Sequence, residues 1–141
     1  MFVLDTNVVS ELRKVHAGKA DKRLSTWADS HDATDMYLSS ITVMELEIGI
    51  LRAERRDRTQ GAVLRKWLDD RVLPEFTGRI LSVDTTVAQR CAHLHVPDPR
   101  NERDALIAAT ALVHGMAVVT RNVADFELTN VALIDPWNEA G

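Results

Sequence analysis

An α/β fold is predicted by three observations. Short apolar runs alternate with longer stretches of helical periodicity along the chain. The first run, Phe2-Val3-Leu4, ends on Asp5 and passes straight into a helical pattern, as a strand feeding a helix does. No repeat, low-complexity tract or linker interrupts the alternation, so residues 1–141 are expected to form one domain.

Each element follows from its local pattern. Strand one is Phe2 to Leu4, and a short helix from about Val8 to Lys14 ends near Gly18. A second helix carries Leu24, Trp27 and Ala28. Strand two spans about Met36 to Ser39, and after Ser40 a long helix is expected to bury an apolar face of Ile41, Met44, Ile48 and Leu51. Arg55 to Gln60 breaks it, and a further helix holds Leu64, Trp67 and Leu68. Pro74 and Gly78 then introduce strand three at Ile80 to Val83. Asp84 is expected to cap the next helix, with Thr85 and Thr86 in its first turn. The turn from Pro97 to Arg100 leads into a helix from about Glu102 to His114, stopped by Gly115. Strand four is Ala117 to Thr120 and a short last strand is Ala132 to Ile134. The helix after Asn101 is apolar on nearly every side, which predicts burial.

Composition narrows the function classes. An apolar share of 45% and a charged share of 27%, with no run near the ~20 residues of a membrane span, predict a soluble protein. The first strand leaves no room for a secretory leader, so a cytoplasmic location without a membrane partner is expected. Cys91 is the only cysteine, which excludes an internal disulfide or a Cys-based zinc site. His16, His31, His93, His95 and His114 show no metal-ligand spacing, and the three tryptophans sit in apolar patterns. A net charge of −4 argues against a protein that coats nucleic acid non-specifically. Arg52, Arg55, Arg56, Arg58, Arg65 and Lys66 read either as a solvated helix face or as a phosphate contact strip.

Topology brings the acids together. In a parallel α/β sheet the strand C-termini and helix N-termini share one edge, where ligands collect. Asp5 follows strand one, Glu45 lies one turn into the helix after strand two, Asp104 opens the helix before strand four, and Asp125 follows strand four. Thr120 and Asn122 share that edge. Glu45 and Glu47 differ by ~200° of helical rotation, so only one points into such a site, and depth favours Glu45. Asp104 also sits three residues after Asn101, where a capping pair would need no chemistry.

Clustered carboxylates repel: two charges ~5 Å apart at an effective dielectric of ~20 cost roughly 3 kcal/mol. Protonation or a bound cation offsets this, and an all-oxygen donor set without Cys or converging His selects Mg²⁺ or Mn²⁺ over zinc. Such an ion suits hydrolysis of a phosphodiester.

Four blocks in order carry a resemblance: Leu4-Asp5-Thr6-Asn7-Val8-Val9-Ser10-Glu11, Ile41-Thr42-Val43-Met44-Glu45-Leu46, Asp104-Ala105-Leu106-Ile107-Ala108-Ala109-Thr110-Ala111 and Val119-Thr120-Arg121-Asn122-Val123-Ala124-Asp125-Phe126. From residue 2 to Trp137 the chain resembles a PIN domain of the VapC or FitB-like toxin type. The resemblance implies a three-layer α/β/α sandwich with a central, mainly parallel sheet. It implies a Mg²⁺-dependent endoribonuclease, with Mn²⁺ able to substitute, acting on transfer or ribosomal RNA and leaving a 5′-phosphate and a 3′-hydroxyl. It also implies a homodimer held in check by a small DNA-binding antitoxin, with operator DNA reached only through that antitoxin in a higher assembly. Carried over by position, Asp5 and Asp104 become metal ligands with Glu45 as third acid. In some FitB-like relatives a fourth acid stands where this chain has Asn122. Either Asp125 supplies that carboxylate, or Asn122 contributes a neutral group and Asp125 only caps the turn. Thr120 either orients a carboxylate or water, or simply ends a strand.

Rival classes fit less well. A phosphoryl receiver expects a lysine near a late strand, yet Lys14, Lys19, Lys22 and Lys66 are the only lysines. No glycines cluster after a strand to cradle a phosphate. The remaining alternative is a catalytically inactive PIN-like module that acts with a DNA-binding partner.

Overall fold

The computed structural model describes residues 1–138 and, at His16, the backbone alone, so the expectations for the His16 side chain and for residues 139–141 lie outside the described residues. Five strands, β1 (Phe2–Leu4), β2 (Met36–Ser39), β3 (Ile80–Leu81), β4 (Ala117–Val119) and β5 (Leu133–Ile134), form one parallel sheet in the order β3-β2-β1-β4-β5. The helices are α1 (Thr6–Leu12), α2 (Lys22–Asp29), α3 (Ser40–Arg56), α4 (Arg58–Trp67), α5 (Leu73–Glu75), α6 (Thr85–Leu94) and α7 (Glu102–His114), with a π-helical turn at Leu68–Val72 joining α4 to α5.

Alternation along the central strands divides the core into two layers. Val3 and Val118 pack with Val87, Cys91, Ala105, Ile107 and Phe126 on the α6–α7 face. Their neighbours Leu4 and Val119 pack with Val8, Leu24, Trp27, Leu38, Leu46 and Leu68 on the opposite face. The molecule is therefore the expected α/β/α sandwich. Helix α7 is the inner helix of its layer: Ala105, Ile107, Ala108, Ala109, Thr110 and Ala111 are all buried, as its all-round apolar sequence predicts.

One expectation is overturned. Helix α3 buries Thr42, Leu46, Ile50 and Ala53, whereas Met44 and Leu51 face outward and Ile41 and Ile48 are half-buried. Two apolar stripes run along this helix. Leu46 and Ile50 join the core layer of Leu4, Leu38 and Val119, and Thr42 and Ala53 are buried as well. Within the basic stretch, Arg65 turns back from α4 to α3, donating to Glu47 Oε1 at 2.8 Å and to Glu54 Oε1 at 3.3 Å. Arg52, Arg55, Arg56 and Arg58 remain exposed.

The α3–α4 approach depends on Gly61, where a Cβ would stand 2.6 Å from Glu54 Cα. Gly61→Ala gains up to ~1 kcal/mol of helix propensity. Overpacking against backbone that cannot yield costs ~1–3 kcal/mol. The variant is expected to melt a few degrees below wild type; a raised melting temperature would show that the two helices separate freely.

Candidate functional site

Local rules set the edge of the sheet. Asp5 N donates to Val119 O at 2.8 Å, extending the β1–β4 ladder by one residue, and Asp5 then caps α1 by accepting from Thr6 N at 2.8 Å. Ser39 caps α3, with its hydroxyl accepting from Ile41 N at 3.0 Å. Asn101 caps α7, its side chain accepting from Asp104 N at 3.1 Å. Three helix N-termini thus open onto the ends of β1, β2 and β4.

Asp5 is 6% exposed and sits at the centre of a hydrogen-bond network. Its Oδ2 accepts from the Thr120 hydroxyl at 2.8 Å and from Asn7 Nδ2 at 3.3 Å. Thr120, fully buried, accepts in turn from Asn122 N at 2.9 Å. Asn7 Oδ1 accepts from Arg121 N at 3.3 Å, tying α1 to the turn after β4. Glu45 joins from α3: the Thr6 hydroxyl donates to its Oε1 at 2.6 Å, and Arg103 of α7 lies 3.7 Å from its Oε2.

The electrostatics bind the four acids into one group. Burial raises the Asp5 carboxyl above its usual range, the hydrogen bonds from Thr120 and Thr6 pull it back, and the charges of Glu45 and Asp125 push it up again. Asp104 is pushed to about 6, first by burial and then by Asp5, Asp125 and Glu45. The charges of Glu45 and Asp125 are therefore felt at both Asp5 and Asp104, and that of Asp5 at Asp104.

The sequence-predicted residues accordingly divide in a definite way. Asp5, Glu45, Asp104, Asp125 and Thr120 share one sheet edge. Glu47 does not, because it faces Arg65. Asp84 caps α6 through Val87 N at 2.9 Å, as expected, and is not among the groups that shift Asp5 or Asp104. Asn122 is exposed and its side chain makes no capping bond to the short 3-10 turn Val123–Asp125; only its backbone N enters the network. Thr6, Asn7 and Arg103 escaped the sequence reading. Two of them directly follow Asp5, and that adjacency was the available signal.

The donor set, carboxylates with one buried hydroxyl and neither sulfur nor imidazole, fits a hard divalent cation by its chemistry. The raised Asp5 and Asp104 carboxyls are the electrostatic mark of a site that a cation would relieve. Among the described residues, however, no three His, Cys, Asp or Glu side chains stand in an arrangement that itself could hold a metal ion. Glu45 is held by Thr6 and Arg103, so the acids meet at electrostatic range. A cavity of about 550 Å³ lies elsewhere, lined by Val9, Leu12, Val63, Trp67 and Phe76, and none of the four acids lines it.

Comparison with known proteins places this fold. The PIN domain family model matches residues 2–131. The chain is 35% identical over 145 residues to VapC ribonuclease Y4jK of Sinorhizobium fredii, covering 99% of this chain and 100% of that one. It is 35% identical over 147 residues to toxin FitB of Neisseria gonorrhoeae, with coverages of 99% and 100%. Among solved structures, FitAB bound to an IR36 DNA fragment superposes with a TM-score of 0.88 at 34% identity, covering 100% of this chain and 99% of the other. VapBC2 of Rickettsia felis bound to promoter DNA shares the fold, with a TM-score of 0.71 at 19% identity over 94% and 96% of the two chains.

Proposed function

Since this chain belongs to the PIN domain family, we propose that it is a metal-dependent endoribonuclease, a single domain over residues 1–141, serving as the toxin of a VapBC-like pair. The observation that carries this reading is the convergence of Asp5, Glu45, Asp104 and Asp125 on one sheet edge, with Asp104 pushed to about 6. The names of its relatives, a VapC ribonuclease and the toxin FitB, support the same class. RNA, transfer or ribosomal, is the proposed substrate. A small DNA-binding antitoxin is the proposed partner, and FitAB and VapBC2 have been solved as complexes with DNA. Homodimerisation and action in the cytoplasm belong to the same proposal. Among the described residues no helix is long and apolar enough to cross a membrane.

Asp5, Asp104 and Glu45 would hold Mg²⁺ or Mn²⁺. When bound, the ion supplies charge neutralisation at the phosphodiester and a water of lowered pKa, giving 5′-phosphate and 3′-hydroxyl ends. The chain's own residues do the rest. Thr120 and Asn7 fix the Asp5 carboxylate, so its oxygens need no reorganisation during the reaction. Thr6 orients Glu45. Asp125 adds negative charge beside Asp104, and Asn122 contributes through its backbone to Thr120. We favour Asp125 over Asn122 as the fourth group because its charge reaches both Asp5 and Asp104.

The alternative, an inactive module working with a DNA-binding partner, draws on the engagement of Glu45 by Thr6 and Arg103. Thermal melts with and without Mn²⁺, beside an RNA cleavage assay with and without chelator, separate the two. A nuclease is expected to melt higher with Mn²⁺ and to stop cleaving when chelated. An inactive module shows neither change.

A further inference from the structure

Carboxylates gathered at one sheet edge repel the polyanion that the proposed reaction has to bring to them. Four ionised acids outweigh one divalent cation, so the chain itself must supply positive charge for a nucleic-acid strand to settle there. Two arginines border the cluster, and each is the chain neighbour of a cluster residue. Arg103 precedes Asp104 in the first turn of α7, and Arg121 follows Thr120 at the end of β4. They stand on opposite sides of Asp5. Arg103 reaches Glu45, which follows β2, whereas Arg121 reaches Trp137, which follows β5, and the sheet order sets β2 and β5 on either side of the β1–β4 pair.

Neither guanidinium is used up by the fold. Arg103 Nη1 lies 3.7 Å from Glu45 Oε2, beyond hydrogen-bond distance, and 48% of its side chain is exposed. An exposed pair of this kind is weak and readily exchanged. Arg121 is exposed, and among the described residues its guanidinium makes no hydrogen bond or ion pair, lying 5.3 Å from the centroid of the Trp137 ring. Contact with the ring positions the cation and leaves its N–H donors unused. The backbone beneath it is tied to the cluster: Arg121 N donates to Asn7 Oδ1 at 3.3 Å, and Asn7 Nδ2 donates to Asp5 Oδ2 at 3.3 Å. A guanidinium fork matches the paired oxygens of a phosphate.

We propose that Arg103 and Arg121 hold the RNA backbone at phosphates on either side of the bond that the acid cluster acts on, a placement that rests on that cluster being the site of RNA cleavage. Arg103 exchanges Glu45 for a phosphate as RNA arrives, which releases the Glu45 carboxylate. Arg121 keeps its place on Trp137 and takes a phosphate through its unused donors. The exposed arginines at the far end of α3 then form a solvated face. Arg56 lies eleven residues from Glu45, ~16 Å along the helix.

The test is the salt dependence with which the full chain binds a fluorescent single-stranded RNA oligonucleotide, read in the Asp104→Asn background so that the strand stays uncut. Each phosphate contact contributes ~0.7 to the slope of log K against log salt on a single strand. Arg103→Gln and Arg121→Gln are each expected to lower the slope by about that amount and to weaken binding several-fold at low salt. Arg121→Lys keeps the charge and so keeps the slope, and Arg56→Gln leaves it unchanged. A second readout needs no RNA: in the otherwise wild-type chain, Arg103→Gln is expected to gain at least as much melting temperature from Mn²⁺ as wild type, because Glu45 loses a competing cation. An Arg103 that only braces Glu45 would give the reverse, a smaller Mn²⁺ gain with an unchanged slope, and overturns the proposal. So does an unchanged slope in either glutamine variant, a slope lost in Arg56→Gln instead, or RNA that fails to bind at any salt. Failure of the ribonuclease reading shows separately, as a wild type that neither melts higher with Mn²⁺ nor cleaves RNA.

Discussion

Asp104→Asn is expected to reduce RNA cleavage by at least ~10²–10³-fold, the scale of removing one preorganised electrostatic group, while the protein stays folded. The fold argument is local. Asn101 caps α7 through the backbone N of residue 104, which the substitution leaves in place. The buried face of α7, from Ala105 to Ala111, is untouched. Asn keeps the shape of Asp and removes the one charge that burial and three neighbouring acids oppose. What disappears is an anionic oxygen donor for a cation, which a neutral amide oxygen replaces poorly. The measurement is single-turnover cleavage of a cellular RNA pool or oligonucleotide, with circular dichroism as the folding control. Cleavage at the wild-type rate would remove Asp104 from the site and leave Asp5, Glu45 and Asp125 without the acid that joins them across the sheet edge.

How much of this site could be read in advance depends on which kind of rule placed each residue. Strands β1, β2 and β4 and the cap residues Asp84 and Asn101 obey local rules, and local rules survive translation from sequence to structure. Glu45 was separable from Glu47 by depth along the helix, since the residue nearer the N-terminus meets the shared edge. Which stripe of α3 is buried was not legible. Ile41, Met44, Ile48 and Leu51 are the more apolar set, yet Thr42, Leu46, Ile50 and Ala53 are the buried ones. Hydrophobicity alone assigned the face to the interior, whereas the tertiary contacts leave Met44 and Leu51 exposed and Ile41 and Ile48 only half-buried. Arg65 shows the same limit. Its pairing with Glu47 crosses between two helices, and no periodicity within either one announces it. Thr6 and Asn7 were in plain view beside Asp5, but Thr6 needed α3 to bring Glu45, 39 residues away, to its hydroxyl, and Asn7 needed the end of β4 to bring Thr120, 113 residues away, next to β1.

Without divalent cation, stability is expected to fall as pH rises across the acidic-to-neutral range, and Asp104→Asn is expected to flatten that fall and to melt a few degrees above wild type at neutral pH. The sign follows from linkage. Asp104 is pushed from 3.8 in the unfolded chain to about 6, so the folded protein holds this proton more tightly. The stability it contributes is fully present below 3.8 and is lost as pH rises through about 6. Asp5, also raised by burial, acts in the same direction. Asp21, Asp32 and Glu47 have lowered carboxyls and act oppositely, but their contribution is lost only as pH falls below the ordinary carboxylate range, outside this window. A cation binds the deprotonated acids, so Mn²⁺ should reverse the trend and make stability rise with pH in wild type while doing far less in Asp104→Asn. Melting curves from acid to neutral pH, in chelator and in Mn²⁺, for both proteins, give the four profiles that decide it. If wild type in chelator were more stable at neutral pH than in mild acid and Asp104→Asn behaved identically, the carboxylates would not be opposing one another. The cluster would then lack the repulsion that makes it a cation site.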